Sequence, residues 1–242
     1  MRYFAICSYE GWPFNGWQTQ SDKKSIQDKI EQVLSKLLSE PITIFGSGRT
    51  DAGVHALGQT FHFDTLKKVT LKSLKLSMNA LLKPHIHIFK LKKVHPEFHA
   101  RLSAKQKMYR YVINNQTYNP FLNGFSLYVS QPLDLQAMKE AAKLFVGTHD
   151  FSSFTSKQED FKKFIRTIES IKIYKYQKLI NIDLVGDGFM MYMVRMIVAT
   201  LILIGSRKED KSYILRRLDK QPRQITHYKA EPHGLYLSKV FY

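Results

Sequence analysis

Hydrophobic spacing changes repeatedly between helical and strand-like along this chain, and the two halves of the sequence share this alternation. Apolar residues recur at helical spacing at 26–38 and 71–82, and again at 133–146, 189–204 and 211–220. Strand-like segments lie between these helices, and several neighbouring strands are separated only by short turns. The pattern predicts an α+β fold of two similar subdomains, 1–103 and 104–242, each a mainly antiparallel sheet with helices on one face.

Composition narrows the class of protein further. Hydrophobic residues make up 44% of the 242 residues, which is enough for a substantial core and excludes a disordered chain. Cys7 is the single cysteine, so an intramolecular disulfide and a cysteine zinc cluster are both excluded. The first residues become polar too early to form a signal peptide, and we therefore expect a protein that is not secreted.

One apolar segment has to be weighed as a membrane span. Residues 189–204 are nearly all apolar, but the segment is shorter than the roughly 20 residues that cross a bilayer, and Arg195 lies inside it. We interpret the segment as a buried core helix and expect no membrane association.

Positive charge is concentrated in one part of the chain. The whole sequence has 37 Lys and Arg against 20 Asp and Glu, a net charge of +17. Residues 65–133 contain twelve basic residues and a single acid, Glu97. Lysine-rich composition alone does not remove the acids from one window, so we expect a polyanionic partner, and nucleic acid before an anionic membrane.

The segment densest in candidate functional residues is Gly46-Ser47-Gly48-Arg49-Thr50-Asp51-Ala52-Gly53-Val54-His55-Ala56. Its three glycines predict a tight loop with unusual backbone angles, and its spacing fits neither a dinucleotide fingerprint nor a Walker loop. Arg49 is expected to keep Asp51 ionised, as a nucleophile or a base requires. For an arbitrary loop aspartate, a turn residue is the alternative interpretation.

Arg195 favours the functional interpretation of Asp51. An arginine inside an apolar helix is rarely buried without an acidic partner, and Asp51 is one of few candidates. A snorkelling arginine or a structural ion pair elsewhere is the alternative.

Histidines and tyrosines offer two weaker hypotheses. His85 and His87 have the spacing of a ligand pair on a strand, but no third ligand supports a metal site. Tyr109 and Tyr111 flank Arg110 in a predicted strand, where aromatic rings can stack on unpaired bases. For Tyr111 we prefer ordinary strand packing.

The segment Gly48–Ala56 resembles the signature of the tRNA pseudouridine synthase A family. Further segments that resemble this family occur in the family's order along the chain. They are 9–11 with 16–18, 98–104 with 109–111, 147–151, 188–189 with 193–195, and 234–237.

The resemblance implies isomerisation of uridine to pseudouridine at positions 38 to 40 of the tRNA anticodon stem-loop. It also implies two α+β subdomains around a basic cleft, a cytoplasmic homodimer, and no cofactor or metal. By position, Asp51 is the catalytic aspartate, Tyr109 stacks on the target base, and Arg195 pairs with the aspartate. Arg49 matches the motif arginine that helps to open the stem and hold the flipped nucleotide.

Two other functions remain open from the residues alone. A noncatalytic RNA-binding module requires only the basic window. A metal-dependent hydrolase would use the histidines and would lose its activity with EDTA.

Overall fold

A computed structural model describes residues 1–156, 164–220 and 222–242. The described chain divides into two compact units, Met1–Lys105 with Tyr236–Tyr242, and Gln106–Leu235. The predicted subdomains, 1–103 and 104–242, group the last strand with the second half of the sequence, whereas the structure places Tyr236–Tyr242 with the first unit.

The first unit is a mixed sheet with two helices. Numbered in chain order, its elements are β1 (Arg2–Tyr9), α1 (Ile26–Leu38), β2 (Ile44–Gly46), β3 (His55–Asp64), α2 (Leu71–Leu82), β4 (Ile86–Lys93) and β10 (Leu235–Phe241), which belongs to this unit from Tyr236. The strand order is β4-β1-β3-β10, and β2 also pairs with β3. All of these pairings are antiparallel except β3 with β10.

The second unit also combines a sheet with α-helices. Its elements are β5 (Gln106–Asn114), β6 (Leu127–Tyr128), α3 (Leu135–Ala142), β7 (Gly147–Asp150), β8 (Ile165–Tyr176), β9 (Leu179–Gly186), α4 (Met193–Gly205) and α5 (Lys211–Leu215). The strand order is β5-β9-β8-β7 with antiparallel pairing, and β6 adds to β5 in parallel. The α+β class that the hydrophobic spacing predicts is confirmed.

Local signals account for the best-predicted elements. Ser25 caps α1 by accepting from the Asp28 amide, and the Asp28 carboxylate accepts from the Ser25 amide, so that both halves of a capping box are present. The turn Gln177-Lys178 between β8 and β9 has positive φ at both residues, as a two-residue hairpin requires.

Other predicted boundaries are wrong. The helix expected over 189–204 begins only at Met193, because Tyr192 adopts the left-handed conformation with φ of 63°. The predicted helix 133–146 is α3 followed by a 3₁₀ turn at Lys143–Phe145, and the predicted helix 211–220 ends at Leu215. The alternating pattern of residues 59–64 predicts a strand there, but strand β3 already begins at His55.

The apolar helix α4 is a core helix. It has 13 residues, most of them buried. Within residues 1–156, 164–220 and 222–242, no helix combines the length and the apolar character of a membrane span.

Candidate active site

Asp51 lies in the loop that joins β2 to β3. The Val54 amide donates to the Asp51 carbonyl (3.1 Å), which closes a tight turn, and Gly53 has φ of +77°. The expectation of unusual backbone angles holds for Gly53 alone, since neither Gly46 nor Gly48 has positive φ. The turn leaves Asp51 half-buried, with a fixed backbone.

A buried polar network lies beneath this loop. The amide group of Gln59 donates to the Gly48 carbonyl (2.9 Å) and accepts from the Ser47 hydroxyl (2.7 Å). The hydroxyls of Tyr9 and Thr50 share a hydrogen bond of 2.8 Å. Because these groups are buried, breaking any of these bonds leaves a polar atom unsatisfied, and the network therefore holds residues 47–50 in one position.

The segment 10–17 supports the Asp51 loop from another side. The Trp17 amide donates to the Thr50 carbonyl (3.1 Å), and the Gly11 amide donates to His55 Nδ1 (3.1 Å). A Cβ atom on Gly11 would lie 2.1 Å from the Val54 carbonyl oxygen, so only glycine fits there. The start of α1 holds this segment in turn, since the Ile26 amide donates to Gly16 (3.1 Å).

The sequence patterns do not predict that the side chains of Tyr9 and Gln59 support this loop. The available signal was Gln59 itself, because an amide side chain in a strand has to find hydrogen-bond partners when it is buried.

Arg49 is exposed beside Asp51, and its Nε donates to Gln18 Oε1 (3.2 Å). The bond to Gln18 orients this guanidinium, and the expected effect of Arg49 on the ionisation of Asp51 stays a prediction.

Tyr109 lies on β5 in the second unit. Its side chain is 8% exposed, and its ring packs edge-to-face against Phe189, with the ring centres 5.2 Å apart. Tyr111 is fully buried and donates its hydroxyl to the Glu231 carbonyl (2.7 Å), and this burial raises the pKa of the Tyr111 phenol. Strand packing of Tyr111, as interpreted from the sequence, is confirmed.

Arg195 lies on α4 and is 7% exposed. Its Nε donates to the Ala230 carbonyl (2.7 Å), and the Ala230 amide donates to the Arg195 carbonyl (3.1 Å). The guanidinium carbon lies 5.3 Å from the centre of the Tyr192 ring. These contacts fix the Nε side of the Arg195 guanidinium. The pairing of Arg195 with Asp51 stays a prediction.

Most basic residues of the 65–133 window lie on the surface. One exception is Arg110, whose guanidinium forms a bidentate ion pair with Asp183 (2.7 and 2.9 Å). The exposed members in the first unit are Lys67, Lys68, Lys72, Lys83, Lys90, Lys92, Lys93, Arg101 and Lys105. This surface is therefore available to a polyanion.

Several histidines of the first unit have structural hydrogen bonds. His85 pairs with Glu10 (2.9 Å), His62 accepts from the Ala100 amide (3.1 Å), and His55 accepts from Gly11. Among the residues that the structure describes, no three His, Cys, Asp or Glu side chains are placed to hold a metal ion.

Comparison with known proteins assigns the family. The sequence profile of the family described as tRNA pseudouridine synthase matches residues 5–102 and 141–242. This match covers most of the chain and includes the Asp51 loop and the region of Arg195. The chain belongs to the tRNA pseudouridine synthase family, and its class of enzyme is an isomerase.

Curated relatives agree over the full length. Proteins named tRNA pseudouridine synthase A from Thermoanaerobacter sp. (strain X514) and Geobacillus sp. (strain WCH70) are 37% and 39% identical to it. The first alignment covers 98% of both chains, and the second covers 97% of this chain and 96% of the relative. A Bacillus licheniformis protein of the same name is 37% identical over 100% of this chain and 99% of the relative.

One solved structure, a Cbf5-Nop10-Gar1 complex, aligns with 82% of this chain and 54% of that chain. The TM-score is 0.31 and the identity is 11%, values too low to support any inference.

Proposed function

We propose that this protein converts uridine to pseudouridine at positions 38 to 40 of the tRNA anticodon stem-loop, with Asp51 as its catalytic residue. The reaction breaks the bond between ribose C1′ and uracil N1, turns the base, and joins C1′ to C5. The C5 proton is lost and N1 gains a proton, so that no electron donor, group donor or metal is needed for the balance.

One observation carries the assignment of Asp51. Its loop bears the family motif and is held by the buried Gln59 and Tyr9 hydrogen bonds from one side and by segment 10–17 from the other. A catalytic carboxylate needs such a fixed backbone, since a displacement of about 1 Å costs roughly 100-fold in rate. Two roles fit this position: Asp51 attacks C1′ as a nucleophile, or it removes the C2′ proton.

The other site residues have supporting roles in this proposal. The target base leaves the stem at a cost of a few kcal/mol, and stacking on Tyr109 offsets ~1–3 kcal/mol of that cost. Phe189 supports the edge of the Tyr109 ring. Arg195 pairs with the Asp51 carboxylate, and Arg49, oriented by Gln18, holds the flipped nucleotide.

We further propose that the exposed lysines bind tRNA phosphates, and that the protein acts in the cytoplasm as a homodimer. Light scattering after gel filtration measures the oligomeric state directly. A mass of one chain at micromolar concentration would contradict the homodimer.

The test of the proposed function is tritium release from tRNA transcripts labelled at uracil C5, with EDTA present. We expect release by the wild type and none by Asp51→Asn, because an amide is neither a nucleophile nor a base. The variant should bind tRNA with unchanged affinity.

Two results would overturn this proposal. Activity of Asp51→Asn above a few per cent of the wild type would remove Asp51 from the chemistry. No release by the wild type, with tRNA binding intact, would instead favour a noncatalytic RNA-binding module.

A further inference from the structure

A row of directly paired residues crosses one face of the first unit's sheet. Lys92 on β4 pairs with Phe4 on β1, Phe4 pairs with His62 on β3, and His62 pairs with Phe45 on β2. Residues directly opposite each other in neighbouring strands project from the same face. Phe4 and His62 are buried, whereas Phe45 at the end of the row is 47% exposed.

Phe45, His62 and His99 form a ring cluster. The rings of Phe45 and His62 are stacked, with their centres 5.1 Å apart and an angle of 19° between planes. The His99 ring lies 5.9 Å from Phe45 and 4.7 Å from His62. The exposed Phe45 ring is therefore held against two imidazoles rather than free to change rotamer.

His62 provides an uncharged support for Phe45. Its Nδ1 accepts a hydrogen bond from the Ala100 amide, and burial together with the nearby Arg2 lowers the pKa of His62 to about 4. The imidazole is therefore neutral at physiological pH. Stacked on a neutral ring, Phe45 presents a flat apolar surface to solvent.

Positive charge lies beside this surface. His99 Nδ1 accepts from the amides of Arg101 and Leu102 (3.1 and 3.3 Å), which fixes the turn that carries the exposed Arg101. An acidic residue, Asp64, follows His62 by two positions on β3. Arg2 holds its carboxylate in a bidentate ion pair (3.0 and 2.7 Å), so this negative charge is already paired.

The ring cluster is also close to the proposed catalytic residue. Phe45 precedes Asp51 by six residues, so the two Cα atoms lie within about 20 Å of each other. A polynucleotide that binds at Asp51 spans this distance with a few nucleotides.

We propose that the ring cluster is a second nucleobase subsite, at which an unpaired base of the RNA substrate stacks on Phe45 and Arg101 contacts an adjoining phosphate. The identity of the substrate rests on the proposed function. Stacking on an aromatic ring next to cations is how proteins bind unpaired nucleotides, and it tolerates any base. The subsite contributes to affinity and not to the chemical step.

The test compares Phe45→Leu with a matched control, Phe89→Leu. Phe89 is also an exposed strand phenylalanine (52%) of the first unit, and its ring lies 4.9 Å from an imidazole, that of His87. We expect Phe45→Leu to raise the Kd for a tRNA transcript and KM by about 5- to 20-fold, with kcat unchanged at saturating tRNA. Phe89→Leu should change the Kd by less than about twofold, and Phe45→Tyr, which keeps the ring, should bind as the wild type does.

A second measurement uses the wild-type protein, so it does not require the Phe45→Leu variant to fold. Irradiation of the wild type with tRNA that contains 5-iodouridine should give a crosslinked peptide that includes Phe45. A wild-type Kd for Phe45→Leu, or crosslinks that exclude residues 42–49, would overturn the subsite. Both measurements report binding. Failure of the proposed function would instead appear as absent tritium release, so the two failures can be distinguished.

Discussion

Buried histidine side chains of the first unit stabilise the structure by accepting hydrogen bonds at an unprotonated ring nitrogen. His55 and His62 both accept a backbone hydrogen bond at Nδ1, which requires the neutral ring with its proton on Nε2. For His62, burial and the charge of Arg2 reinforce this state and lower its pKa to about 4. A buried histidine that stays neutral on folding makes stability depend on pH.

The sign of this dependence follows from the lowered pKa. Between pH about 4 and about 6.5 the unfolded chain binds a proton at His62 that the folded chain does not, so the free energy of unfolding falls as the pH falls. The full shift corresponds to a loss of about 3 kcal/mol. We expect urea unfolding of His62→Gln to show a weaker fall between pH 7 and pH 4.5 than the wild type.

The control for this prediction is His95→Gln. His95 is exposed, so its replacement should leave the pH dependence of the wild type in place. Parallel pH profiles for the wild type and His62→Gln would show that His62 is not the group responsible.

At the scale of elements, the Asp51 loop depends on neighbours that are distant in sequence. Segment 10–17 touches it through the Gly11 and Trp17 amides, and α1 holds that segment at its first turn. The capping box at Ser25 therefore stabilises more than a helix end, because the same turn anchors the segment that supports the loop.

Gly11→Ala tests this support. The added Cβ atom would meet the Val54 carbonyl at 2.1 Å, and neither backbone can yield without moving the turn that carries Asp51. We expect kcat for tritium release to fall at least about 10-fold, with tRNA affinity changed much less, since a small displacement of a catalytic group costs rate before binding.

Gly124→Ala in the second unit is the control. Its φ of +87° makes alanine costly by about 1 kcal/mol, but a Cβ there meets nothing within 4 Å. This variant should lose thermal stability and keep its kcat. An equal loss of kcat in both variants would mean that Gly11→Ala acts through general stability alone.

At the scale of the whole molecule, net charge dominates the first encounter with a polyanion. The chain carries +17, and nine basic side chains of residues 65–105 are exposed in the first unit. Their contribution to tRNA affinity arises from the release of counterions and is independent of sequence.

We therefore expect the Kd for tRNA to rise by about 10- to 100-fold between roughly 0.05 and 0.2 M KCl, while kcat at saturating tRNA changes little. Replacing Lys90 by Gln should lower the slope of log Kd against log salt by about one if Lys90 contacts a phosphate. A Kd that does not depend on salt would exclude phosphate contacts as the main source of affinity.

The α+β class, most helices and strands, and the family follow from local patterns in the sequence. Helical spacing, the Ser25 capping box and the hairpin turn at Gln177 depend on residues within a few positions of one another. The Gly48–Ala56 motif is likewise contiguous, which is why it identifies the family directly.

The contacts that support this motif, in contrast, join residues from separate strands. Tyr9 meets Thr50, Gln59 meets Gly48, and Phe45 stacks on His62 because the pairing of β1, β2 and β3 brings them together. The start of β3 was missed for the same reason: His55 and Ala56 pair with Tyr236 and Leu237, far along the chain. Strand register depends on long-range pairing, which local periodicity does not encode.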